Sequence, residues 1–184
     1  MTLWVMLLRG INVGGAHKIK MADLKALVET LGARDVAHYI QSGNLVFSGV
    51  IDATAFEDIV AREIELRHGF RPRVLVLAAE DFRGIVAAYP YPEARDDPKT
   101  GHVWFLTGDA TPDRAALDAL ATETERFEIG PRAFYLHAPD GIGRSKLAEK
   151  VERLLGVPAT ARNLNTCAKL VEMLDDAAGA SAHG

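Results

Sequence analysis

Four short stretches of the chain hold more Gly, Asn, Arg and Ser than folding alone requires. The first is Arg9-Gly10-Ile11-Asn12-Val13-Gly14-Gly15-Ala16-His17-Lys18-Ile19-Lys20, between an apolar run and a helical pattern. Glycines there let backbone N–H groups approach a ligand, and a helix start attracts an anion. The Gly-x4-Gly-Lys-[Ser/Thr] phosphate loop is excluded, because its lysine would fall on Ala16, and no Gly-x-Gly-x-x-Gly is present. The plainer alternative is a flexible strand-to-helix connection with solvated lysines. The second stretch is Gln41-Ser42-Gly43-Asn44. A hairpin turn asks for Ser, Gly and Asn, and Gln41 is the one residue it does not require.

The third stretch is Asp140-Gly141-Ile142-Gly143-Arg144-Ser145-Lys146. Two glycines precede a helix that opens on two cations, which its dipole disfavours there. An incoming anion would relieve that conflict. The alternative is a capped helix, with Ser145 as the cap and Glu149 reaching back or pairing with Arg153. The fourth is Thr160-Ala161-Arg162-Asn163-Leu164-Asn165-Thr166. Asn163, Asn165 and Thr166 are all suitable caps, whereas Arg162 and the surplus amides suit hydrogen-bond recognition.

Catalytic signatures are weak beside these. Six histidines occur, and none shows the His-x3-His or His-Glu-x2-His spacing of a metal site. His17 lies in the Gly-rich loop as an acid, a base or a solvated side chain, while His38 and His137 fall in strand patterns. Cys167 shares an apolar stripe with Leu170, Val171 and Leu174 and reads as a core thiol. Trp4 and Trp104 read as strand core, Tyr89 and Tyr91 as a stacking platform or, more simply, a packed lid, and Asp96-Asp97 as solvated acids. No nucleophile–base pair is evident, and nothing names a cofactor.

These side chains must be positioned by folded elements, and the composition allows for them. The chain has 184 residues, 48% of them apolar and 25% charged. Area scaling gives roughly 20,000 Å² withdrawn from water on folding, enough for a core without disulfides. One cysteine allows no internal disulfide and excludes a Cys-based zinc site. The net charge of −4 argues against a protein that coats DNA. No stretch reaches the ~18–20 apolar residues of a membrane span. Met1 to Arg9 has no basic segment before its short apolar run, so no signal peptide is expected.

Residues 3–8 read as a strand covered on both faces, and 21–31 as a helix with Met21, Leu24, Leu27, Val28 and Leu31 on one face. Residues 36–41 and 45–48 form a hairpin. A helix capped by Asp52 and a strand at 74–78 complete a βαββαβ order. The second half nearly repeats it. A helix at 79–88 leads to a polar loop at 93–101 and a strand at 102–107. A helix starting at Thr111-Pro112 runs to about Thr124, and a hairpin follows around Gly130-Pro131. The helix from Arg144 is followed by another helix where a sixth strand would stand. The fold class expected is α+β, a duplicated ferredoxin-like (βαββαβ) plait with two antiparallel or mixed sheets covered by helices. Its halves are 1–80 and 81–176, with a flexible tail at 177–184.

At these residues the chain resembles a known family. Leu8 to Gly15, Lys20 to Leu24, Tyr39 to Phe47, Gly141 to Leu147 and Ala159 to Thr166 closely resemble the bacterial domain of unknown function 1697 family. The motifs occur in the same order and span nearly the whole chain. The resemblance implies a cytoplasmic protein of two ferredoxin-like halves and no established activity. Leu164 departs from it, since the family usually has tryptophan there. If that aromatic stacks on a ligand, this chain binds it differently.

The function expected is a binding protein, or an enzyme of unassigned reaction, for a small anionic ligand such as a nucleotide or phosphorylated metabolite. Arg144, Ser145 and Lys146 would hold the anion. Arg9, Asn12, Gly14, Gly15, Gln41, Ser42, Asn44, Arg162, Asn163, Asn165 and Thr166 would line the rest. Two alternatives stand beside it. One is an RNA or single-stranded nucleic-acid module, although no exposed aromatic pair with interleaved basic residues is evident. The other is a protein-interaction module using the sheet edge left by the missing sixth strand. No membrane partner is expected, and the oligomeric state is left open.

Overall fold

The computed structural model describes residues 1–182. The chain divides into two compact units. One comprises Met1–Arg83 with the described part of Lys169–Gly184, and the other Gly84–Ala168.

The first unit holds β1 (Thr2–Arg9), α1 (Met21–Thr30), β2 (Arg34–Tyr39), β3 (Asn44–Gly49), α2 (Ala53–His68) and β4 (Arg73–Ala78). Its four strands form one antiparallel sheet in the order β2-β3-β1-β4. β1 is apolar throughout its middle because both its faces are buried. Met6 and Leu8 join the core made with Leu24, Leu27 and Val28 of α1 and Phe56, Val60 and Ile64 of α2. Val5 and Leu7, which alternate with them, are also fully buried. Each such side chain contributes about 1.5–3 kcal/mol through removal from water. Asp52 starts α2 by accepting a hydrogen bond from the Ala55 N–H at 2.8 Å. The sharp turn after Tyr39 returns the chain along β3, with Tyr39 in register with Asn44.

The second unit holds β5 (Gly101–Leu106), α4 (Arg114–Leu120), β6 (Arg126–Ile129), β7 (Ala133–His137), α5 (Lys146–Leu155) and β8 (Ala159–Asn163). Its antiparallel sheet runs β6-β7-β5-β8. Trp104, Leu106, Phe134 and Leu136 pack against Leu117 of α4 and Leu147, Val151 and Leu155 of α5. Asp113 rather than Thr111 caps α4, and that helix stops at Leu120 rather than near Thr124. The stop coincides with a turn in which the Thr122 N–H donates to Glu125. Two further α-helices are α3 (Ala79–Ala87) and α6 (Leu164–Ala182).

Two expectations change. The sixth strand is present: β8 pairs with β5, setting Ala159 opposite Leu106 and Asn163 opposite His102. The open sheet edge inferred from its absence is therefore occupied. Residues 177–182, expected as a flexible tail, belong to α6, while His183 and Gly184 lie outside the described residues. The expected halves, 1–80 and 81–176, stand beside units of Met1–Arg83 with the described part of Lys169–Gly184 and of Gly84–Ala168. Among the described residues, no helix is long and apolar enough to cross a membrane.

Candidate functional site

In the first unit, the stretch after β1 folds on itself. The Asn12 N–H donates to the His17 carbonyl at 3.1 Å, and the Ala16 N–H to the Val13 carbonyl at 3.1 Å. Gly14 and Gly15 lie between them with φ of +59° and +78°. Two central residues in the left-handed region make a two-residue hairpin turn of the I′ kind, which favours Gly and Asn. The glycines expected to open the backbone to a ligand are thus required by the turn itself.

Asn12 holds this hairpin in place. Its Nδ2 donates to the carbonyls of Ile19 at 2.9 Å and Gln41 at 2.8 Å. Its Oδ1 accepts from the Ile19 N–H at 2.9 Å. Both amide hydrogens are therefore spent on backbone, so Asn12 positions the loop and offers no donor to a ligand. His17 adds a second anchor. Its ring stacks on Phe70 with centroids 4.6 Å apart. Its Nδ1 lies 3.0 Å from the Gly10 carbonyl, which can only accept, so Nδ1 carries the proton there.

The pinned loop bounds a cleft of about 570 Å³. Asn12, Gly15, Lys18 and Ile19 line it from the loop, Lys20 and Asp23 from the start of α1, Gln41 from the β2–β3 turn, and His68 from the end of α2. Lys18 and Lys20 are exposed and form no ion pair among the described residues. Lys20 occupies the N-cap of α1 without a side-chain cap bond. Two ammonium groups and the positive end of a helix therefore meet one carboxylate, Asp23. That arrangement suits an anion.

Of the residues expected to bind in this unit, Asn12, Gly15 and Gln41 line the cleft. Gln41 gives its carbonyl to Asn12 and presents an exposed side chain. Asn44 is wholly buried and donates to the Tyr39 carbonyl at 3.1 Å and to Ser42 Oγ at 2.9 Å. Both Asn44 and Ser42 thus serve the hairpin. Gly14 is at the hairpin tip. Arg9 ends β1 in register with Arg73 on β4.

The remaining expected residues belong to the second unit. Ser145 is buried and caps α5, accepting from the Ala148 N–H at 3.0 Å, between exposed Arg144 and Lys146. Asn163 accepts from the Thr166 N–H at 3.0 Å at the start of α6, with Thr166 buried and Asn165 exposed. Arg162 donates to the Ala161 carbonyl at 2.8 Å. Burial lowers its guanidinium to about 10, against an opposing effect of Cys167. Burial likewise pushes the Cys167 thiol up to about 12. The hydrogen bonds made by Ser145 and Asn163 are those of helix caps, and Cys167 is a core thiol.

Five cleft residues were not singled out from the sequence: Lys18, Ile19, Lys20, Asp23 and His68. Both lysines stand inside the Gly-rich stretch and could have been chosen there. His68 carries no local signal, because only the packing of α2 brings it to the loop.

Comparison with curated proteins matched none. Among solved structures, the chain is similar to the conserved bacterial protein SP0830 from Streptococcus pneumoniae. The two are 28% identical with a TM-score of 0.71, over 95% of this chain and 99% of that one. Residues 1–135, which include every residue lining the cleft, match the model of a family described as protein of unknown function, DUF1697, and the chain belongs to that family.

Proposed function

We propose that the protein binds a small anionic, phosphate-containing and nucleotide-like ligand in the cleft of the first unit. The observation that carries this reading is the pair of ammonium groups, Lys18 and Lys20, which form no ion pair among the described residues and line a cleft of about 570 Å³. The volume is within the usual range for small-molecule sites. The Asn12 bonds hold the loop before any ligand arrives, which lowers the ordering cost of binding. The anion is thereby assigned to Lys18 and Lys20 rather than to Arg144, Ser145 and Lys146. We place the protein in the cytoplasm. We also read each unit as a ferredoxin-like plait and the pair as a duplication. The support is the matching strand orders, β2-β3-β1-β4 and β6-β7-β5-β8.

Calorimetric titration with inorganic phosphate and with adenosine monophosphate tests the reading. Wild-type protein binds at least one of them. The Lys18→Ala/Lys20→Ala double variant loses more than about tenfold in affinity, since each charge-assisted hydrogen bond contributes about 1.5–3 kcal/mol. Arg144→Ala binds like wild type. Loss in Arg144→Ala alone would move the anion to the start of α5, and absence of binding in all three would end the proposal. Steeply salt-dependent binding of an RNA oligonucleotide would favour the nucleic-acid reading instead.

A further inference from the structure

The second unit contains a different cavity, of about 350 Å³. Val86 and Ala87 from the end of α3, Leu164 and Ala168 from the first turns of α6, and Tyr89 and Pro98 form its walls. Arg95 is its one charged lining residue. Glu93, two residues before it, is engaged by Arg126 at 2.7 Å. Asp96 and Asp97 follow Arg95, and neither pairs with it among the described residues. The Tyr89 hydroxyl already donates to the Leu136 carbonyl at 2.9 Å, so toward the cavity it can only accept.

We propose that this cavity is a second binding site, for a small monocarboxylate with an aromatic or aliphatic body. The body replaces water against Val86, Tyr89, Pro98 and Leu164, and the carboxylate meets the guanidinium of Arg95. A planar guanidinium with a free fork matches a carboxylate in two parallel hydrogen bonds. One cation suits one negative charge. A phosphate dianion is better served by the lysine pair of the first unit. Burial holds the Tyr89 phenol in its neutral form, so it adds no competing charge.

The test uses 2-naphthoate and its neutral counterpart 2-naphthamide, titrated calorimetrically into the full chain. Expected is binding of the acid about tenfold or more tighter than the amide, the difference carried by the ion pair. Arg95→Gln erases that preference. Leu164→Trp fills the cavity and removes binding of both probes. Ala168→Met narrows the same wall from an exposed position and serves as the second filling variant. Circular dichroism confirms that each variant is folded. Equal affinity for acid and amide overturns the proposal. So does absence of acid binding to wild type, or acid binding that survives in a folded filling variant.

Discussion

The side-chain amide of Asn12 donates to the main-chain carbonyl of Gln41 at 2.8 Å, tying the loop after β1 to the turn between β2 and β3. The same amide closes a reciprocal pair of bonds with Ile19. One side chain thus ties together two of the segments that line the cleft. Asn12 also sits at φ +53°, where Asn is tolerated far better than most residues.

Asn12→Ala removes three hydrogen bonds and leaves a strained backbone. The expected loss is about 2–3 kcal/mol, at roughly 1 kcal/mol for each half-exposed bond. Asn12→Gly relieves the backbone but not the clamp, so its loss is smaller. Urea unfolding measures both. Amide exchange at Ile19 quickens in both variants, because its N–H donates to Asn12 Oδ1.

Gly14→Ala and Gly15→Ala each destabilise the hairpin by about 1 kcal/mol, through a left-handed backbone alone. An added Cβ meets nothing within 4 Å at either position, so no clash contributes. Gly14→Asn is close to neutral, since the first central position of this turn accepts Asn. Thermal unfolding of the three variants gives the order. Equal losses for Ala and Asn at position 14 would mean that the turn is not what requires glycine there.

These two positions also show what a sequence can convey. A Gly-rich stretch announces unusual backbone, but a ligand loop and a tight turn call for the same residue. Strands such as β1 and β5 are legible because burial on both faces leaves a continuous apolar run. β8 is not. Ala159-Thr160-Ala161-Arg162-Asn163 has little strand propensity, and its amides look like caps. It becomes a strand because β5 supplies hydrogen-bond partners from a distant part of the chain, which no local pattern records. His68 was missed for the same reason: its place in the cleft is a tertiary fact.

His102 makes stability depend on pH. Burial lowers its pKa below the ordinary 6.5, partly offset by a hydrogen bond with the Thr100 backbone. Its Nδ1 has no hydrogen-bond partner among the described residues. Below about 6.5 the unfolded chain takes up a proton that the folded chain resists, so stability rises with pH in that window. The contribution is fully present above 6.5 and is lost as pH falls toward the folded value. Denaturation of wild type and His102→Leu at pH values from 7.5 to about 5 tests this. The variant is expected to lose less stability over that range. Parallel curves would show that His102 does not carry the dependence.

Gly101 and Leu164 are coupled by contact. A Cβ on Gly101 would lie 2.5 Å from Leu164 Cδ1, 2.7 Å from its Cγ and 2.9 Å from the Tyr89 hydroxyl oxygen. Tyr89 is held by its bond to Leu136, so Leu164 must yield. Gly101→Ala therefore costs about 1–3 kcal/mol, as overpacking does. Leu164→Ala alone loses packing and enlarges the cavity it lines. In the double variant the added methyl enters space that Leu164 has vacated. The two losses then combine to less than their sum, with a coupling of about 0.5–3 kcal/mol measurable by urea unfolding. Strict additivity would mean that the chain relieves the clash by moving Gly101 instead, and the sheet pairing of Gly101 with His137 would then be the contact that gives way.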